Sequence, residues 1–148
     1  MQKKPVVLVV DDSLTVRTIL AHTLSGDAFT LVFVSDGLSA LSAIADLSPV
    51  VLLLDVQLPH MDGYTICQLL RKNVLYKALP IVLLTSKNKI VDRIYGRLVG
   101  ATEYLTKPFD PEELTRIIQK YVARGYEYFL PYAEVQSSVG RFWKRQIS

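Results

Sequence analysis

Three carboxylates, a hydroxyl and an ammonium each stand at or just beyond the end of an apolar run in this chain. Asp55 closes Val50-Val51-Leu52-Leu53-Leu54, and Asp11-Asp12 follows Val6 to Val10. Thr85 ends a third such run, and Lys107 follows a fourth. In open α/β sheets ligands bind at the carboxyl ends of the strands, so four parallel runs would bring these groups to one edge. Their oxygens suit Mg2+, which takes one or two carboxylates plus phosphate oxygens and keeps several waters. The cation offsets the repulsion between a carboxylate nucleophile and a phosphate, and lysine adds a compact point charge. Phosphoryl transfer needs little beyond positioning and electrostatics, and an aspartyl phosphate is an attested covalent intermediate. The set can therefore place a phosphoryl group on Asp55. Taken singly, each residue has a plainer reading: an aspartate or threonine caps the next helix, and a lysine is a solvated loop charge. Their joint occurrence favours a site.

Alternating strand and helix patterns position the five groups. Val6–Val10 reads as a strand. Ser13–Leu24 reads as a helix, with Val16, Ile19, Leu20 and Leu24 at helical spacing and Gly26 as its stop. Thr30–Val34 is β-rich. Asp36 then caps a helix carrying Leu38, Leu41, Ile44, Ala45 and Leu47, ending before Pro49. Val50–Leu54 shows no alternation, the pattern of a central strand covered on both faces. A third helix starts at Asp62-Gly63 with Ile66, Leu69 and Leu70 inward, and Ile81–Leu84 is the fourth strand. Residues 87–98 read as a weaker helix, because Gly96 in its interior costs about 1 kcal/mol against alanine. A short strand at Glu103–Leu105 precedes the last helix. That helix opens on Asp110-Pro111-Glu112-Glu113 and buries Leu114, Ile117, Ile118, Tyr121 and Val122. Five β-α units in succession predict a doubly wound five-stranded parallel sheet of the α/β class.

The 148 residues suit one domain with its own core. No apolar run approaches the roughly 18–20 residues that cross a bilayer. The first residues lack a signal-peptide core, and a single cysteine, Cys67, excludes an internal disulfide framework. A cytoplasmic protein is expected. A net charge of +3 without a basic stripe or motif does not point to nucleic acid. His22 and His60 lack zinc-ligand spacing, Cys67 reads as packing, and no Gly-rich phosphate loop occurs.

Four segments together resemble a known family: Val9-Val10-Asp11-Asp12-Ser13, Leu54-Asp55 through Asp62-Gly63, Leu84-Thr85-Ser86, and Gly100-Ala101 through Lys107-Pro108-Phe109. Over residues 5–122 the chain resembles a bacterial response-regulator receiver domain of the chemotaxis type, with the (βα)5 flavodoxin-like fold. The resemblance implies a two-component or phosphorelay protein in which Asp55 accepts phosphate from a histidine kinase or histidine phosphotransfer protein. It implies Mg2+ on Asp12, Asp55 and the backbone carbonyl of Gln57, with Asp11 helping through water. Thr85 and Lys107 would contact the phosphoryl oxygens, and Tyr104 would be the aromatic switch that turns inward when Thr85 moves. It also implies a cis peptide at Lys107-Pro108, and that Gln57 and Lys87 affect phosphate lifetime.

Two regions stand apart. Lys87, Lys89, Arg93 and Arg97 oppose only Asp92 around the fourth helix. If the face of the fourth helix, fifth strand and fifth helix is the output surface, its partner is acidic; otherwise this is a solvated helix face. Residues 125–148, beyond a receiver domain over 1–124, form an aromatic extension. Val135, Val139, Phe142 and Trp143 fall on one helical stripe flanked by Arg141, Lys144 and Arg145. Protein contact (a homodimer among the options), packing on the domain, and disorder all stay open. The leading reading is a phosphorylation-switched protein that signals by protein contact rather than a turnover enzyme. A Mg2+-dependent phosphatase is disfavoured because Gln57 stands where such enzymes carry a second aspartate. A phosphate-independent docking module is disfavoured by the intact set of Asp11, Asp12, Asp55, Thr85 and Lys107.

Overall fold

The computed structural model of the chain describes residues 4–24 and 28–125. The expected stop at Gly26 and the extension after residue 125, with its candidate dimer contact, lie outside the described residues. Five strands form one parallel sheet in the order β2-β1-β3-β4-β5: β1 (Val6–Val10), β2 (Thr30–Val34), β3 (Val51–Asp55), β4 (Ile81–Thr85) and β5 (Glu103–Thr106). Helices α1 (Leu14–Thr23), α2 (Gly37–Leu47), α3 (Gly63–Lys72) and α4 (Ile90–Leu98) connect them, and α5 covers residues 111–125.

Strand side chains alternate between two cores. On one face Leu8, Val10, Leu52, Leu54, Ile81 and Leu83 pack with α2 and α3. On the other, Val7, Val9, Val51, Leu53, Val82 and Leu84 pack with α1 and α5. Burial on both faces explains why β3 carries no polar alternation.

Local chemistry starts the helices where expected. Ser13, Asp36 and Asp62 cap α1, α2 and α3, each accepting from a backbone N–H three residues on. Helix α4 starts later than the pattern predicts, at Ile90. The Lys87 N–H bonds to Thr85 Oγ1 and the Lys89 N–H to Asp92 Oδ2, so residues 86–89 form a loop. Leu69 corrects the expected inward set of α3. It is 42% exposed, while Tyr64 and Cys67 are buried, because the 3.6-residue turn sets Leu69 nearly opposite Cys67. By the same geometry Ile19, Leu38 and Leu47 face outward, and Ala40 joins Ile44 under the sheet.

Candidate functional site

The site lies at the carboxyl edge of β1, β3, β4 and β5. Asp55 is the last residue of β3 and Thr85 the last of β4, one residue further into each strand than the apolar runs suggest. The ladder explains this: the Val56 N–H bonds to the Leu84 carbonyl, and the Lys107 N–H to the Thr85 carbonyl. Both side chains thus leave the sheet with the backbone still hydrogen-bonded beneath them. Gly63 lets α3 start directly against Asp55. Its N–H bonds to the Val56 carbonyl, and a Cβ there would meet the Asp55 carbonyl oxygen and lie 2.9 Å from Val56 Cα.

Asp11, Asp12 and Asp55 each present a carboxylate oxygen within 4.8 Å of the others. Asp11 and Asp55 are buried and Asp12 is exposed. Lys107 Nζ binds both buried carboxylates, at 3.0 Å from Asp11 Oδ2 and 3.3 Å from Asp55 Oδ2. The remaining oxygens are oriented by backbone, with the Ser13 N–H on Asp11 Oδ1 and the Gln57 N–H on Asp55 Oδ1. A cis peptide joins Lys107 to Pro108, in accord with the resemblance.

Burial raises the Asp55 carboxyl above its ordinary 3.8, outweighing the Gln57 N–H and the Lys107 charge that favour the anion. Burial alone would lower the Lys107 ammonium, yet Asp11 and Asp55 hold it above its ordinary 10.5. Three carboxylates face one ammonium, so the set carries excess negative charge on hard oxygens with an open side at Asp12. That donor set fits a divalent cation of the Mg2+ type.

Other residues flank this centre. Ser86 Oγ donates to Gln57 Oε1 at 3.3 Å, tethering the Gln57 carboxamide beside the end of β4. The Lys87 ammonium lies 5.8 Å from the Tyr64 ring centroid, while Lys107 supplies the ammonium against Asp55. Thr85 is fully buried, and its hydroxyl accepts the Lys87 N–H at 3.1 Å. Tyr104 sits earlier on β5, back from the carboxyl edge, with its hydroxyl donating to the Lys87 carbonyl at 2.9 Å.

Sequence reasoning missed Arg17, which bonds the Asp11 carbonyl and Ser35 Oγ and so braces the end of β1. It also missed Tyr64. The signal was available in neither case, since both depend on contacts distant in the chain. Sequence reasoning missed as well the exposed apolar residues of α4, Ile90, Ile94 and Leu98, whose four-residue spacing stands in the sequence while their outward direction does not. Cys67 is buried and donates to the Val99 carbonyl at 3.3 Å, in keeping with a packing role.

Residues 7–119 match the family described as response regulator receiver domain. Protein PilG of Pseudomonas aeruginosa is 39% identical over 116 residues, covering 78% of this chain and 86% of PilG. The DNA-binding response regulator MtrA of Mycobacterium tuberculosis is 38% identical over 119 residues, or 80% of this chain. This chain spans only about half of MtrA, 51% of its length. Among solved structures, the chemotaxis response regulator CheY4 of Vibrio cholerae superposes with a TM-score of 0.73 at 34% identity. That match covers 80% of this chain and 99% of the other.

Proposed function

The chain belongs to the response-regulator receiver domain family, and on that premise we propose that Asp55 accepts a phosphoryl group from the phosphohistidine of a histidine kinase or phosphotransfer protein. The observation that carries this is the contact of Lys107 with Asp11 and Asp55 together, at the open edge of the sheet. An Asp55 carboxylate oxygen attacks phosphorus, a P–O bond forms, and the P–N bond to the donor imidazole breaks. Lys107 and the Thr85 hydroxyl take the phosphoryl oxygens, Lys107 giving up its contact with Asp55 Oδ2. Asp12, Asp55 and the Gln57 carbonyl would hold Mg2+, with Asp11 helping through water, and the ion would offset negative charge on the transferring oxygens. Burial keeps the acyl phosphate from bulk water, and the Gln57 carboxamide tethered by Ser86 narrows the approach of a hydrolytic water.

The output is a change of surface. Thr85 moving toward the phosphoryl group releases the Lys87 N–H, and Tyr104 is drawn into its inward position on the Lys87 carbonyl. The resulting face comprises α4, β5 and α5. On it Ile90, Val91, Ile94, Tyr95 and Leu98 of α4 are exposed, Ile90 and Leu98 each at 78%, beside Lys89, Arg93 and Arg97. A protein partner with apolar anchors and an acidic rim fits that chemistry. The chain acts as an acceptor and switch rather than a turnover enzyme. Among the described residues no helix is long and apolar enough to cross a membrane.

Intact mass after incubation with acetyl phosphate tests the reading. One phosphate adduct is expected with Mg2+, none without it, and none in Asp55→Asn. Absence of an adduct overturns the acceptor assignment, and turnover of small phosphate esters would favour the phosphatase. For the output face, Ile94→Asp with Leu98→Asp should leave the adduct intact and abolish the cellular response. An unchanged response would sink this choice of face.

A further inference from the structure

Tyr104 rests in a seat built from three elements. Its ring lies against Gly96 of α4, where a Cβ would come within 2.7 Å of Tyr104 Cδ2, and the Arg93 guanidinium stands 5.5 Å from its centroid. Its hydroxyl donates to the Lys87 carbonyl at 2.9 Å and lies 3.2 Å from the Tyr64 hydroxyl. Tyr64 belongs to the first turn of α3, is 7% exposed, and is held edge-on against Tyr95 at 4.7 Å.

The protons of this pair can be assigned. Each phenol has one to donate. Tyr104 uses its proton on the Lys87 carbonyl, so in the contact between the two hydroxyls Tyr64 donates and Tyr104 accepts. The other acceptor within reach of Tyr64 is the Asp92 carbonyl at 3.5 Å, the outer limit of a hydrogen bond. Burial, reinforced by the Tyr104 hydroxyl, pushes the Tyr64 phenol above its ordinary 10.0, so it stays a donor at any physiological pH. If Tyr104 leaves its seat, a buried hydroxyl loses its good acceptor, and that loss is paired with the movement.

We propose that Tyr64 is a positioning residue of the switch, its hydroxyl latching Tyr104 into the seat beside Gly96 and Lys87 before any phosphate is present. The inference rests on the reading of Tyr104 as the mobile element of the output. The latch sets the resting balance of the two Tyr104 positions, so phosphorylation acts on a chain already tilted toward the seated form. A ligand or modification shifts a two-state balance only by its differential effect on the two states. A built-in bias therefore raises the unstimulated signal and narrows the range left to phosphate.

The test is NMR of 13C-labelled tyrosine rings in the full chain, with the Tyr104 signal identified by its loss in Tyr104→Phe. Gly96→Ala, whose methyl occupies the seat, supplies the reference for the released ring. Without any phosphoryl mimic, Tyr64→Phe should move the Tyr104 signal toward that reference, lowering the ratio of seated to released forms roughly fivefold, the effect of one net hydrogen bond. Coincident Tyr104 signals in the parent and in Tyr64→Phe would overturn the latch. Adding Mg2+ and beryllofluoride to Tyr64→Phe separates the two ideas. Return of the signal supports both latch and switch, whereas a signal that stays displaced keeps the latch and removes the phosphate switch. A double-mutant cycle of Tyr64→Phe and Tyr104→Phe in urea checks the latch independently, with coupling of about fivefold expected in the folding constant. Zero coupling there also overturns it.

Discussion

Lys107 Nζ lies 3.3 Å from Asp55 Oδ2 although 52 residues separate them, and it is the ammonium in direct contact with that carboxylate. Loss of one preorganised charge aimed at a transferring group costs about 100-fold in rate. Lys107→Met should slow formation of the Asp55 adduct from acetyl phosphate by about that factor, followed as a mass time course. An unchanged rate would mean that Lys107 serves the fold alone.

Asp55 is an anion held where burial disfavours charge, which is why its carboxyl stands above 3.8. A group whose folded pKa is raised in this direction destabilises the folded state at neutral pH, where it is ionised. Asp55→Asn keeps the shape and can still accept from the Gln57 N–H. In Mg2+-free buffer its melting temperature should exceed that of the parent by ~3 °C. Mg2+ should then raise the parent and leave the variant in place. Calorimetry with and without EDTA reads both effects, and a variant melting below the parent would contradict the account.

Gly63 cannot accept a side chain without moving backbone, since a Cβ would press on the Asp55 carbonyl and on Val56 Cα. Forcing extra volume into such a contact costs about 1–3 kcal/mol. Gly63→Ala should lose that much in urea unfolding and also form the Asp55 adduct more slowly, because the start of α3 is pushed off Asp55. A variant of parental stability would show that α3 can shift freely.

Asp36 gives α2 a pH-dependent start. Its hydrogen bonds from the Ser39 N–H and hydroxyl hold its carboxyl below 3.8. A depressed folded pKa stabilises above the unfolded value and is lost as pH falls through the folded value. Amide exchange at Ser39 and Ala40 should therefore stay slow, relative to intrinsic rates, down to about pH 4. Below that, protection should drop in the parent and change little in Asp36→Asn. Equal pH profiles in the two proteins would remove the cap from the explanation.

Local chemistry made much of this molecule readable in advance. Asp36 and Asp62 each accept from an N–H three residues away, a relationship contained within four residues. The apolar run before Asp55 likewise announced a strand covered on both faces. Errors came where helical periodicity was followed past the contacts that override it. The start of α4 depends on the Thr85 hydroxyl taking the Lys87 N–H, which no helical periodicity encodes. Spacing alone puts Leu69 inward, but the sheet and α2 select the face that carries Tyr64, Ile66, Cys67 and Leu70.

Apolar runs, caps and polar strand ends are properties of neighbouring residues, and they were enough to specify a doubly wound five-stranded sheet and the carboxylates around Asp55. Tertiary structure decided the rest. It brought Lys107 to Asp11 across 96 residues and placed the Tyr64 hydroxyl on that of Tyr104. It also chose which way α4 faces. The Tyr104 ring leaves no room for a Cβ at position 96, so Gly96 turns inward and the other side of the helix, with Ile90, Ile94 and Leu98, is left to the solvent. A helix carries apolar residues on more than one side, and only the shape of what it packs against selects the side that is buried.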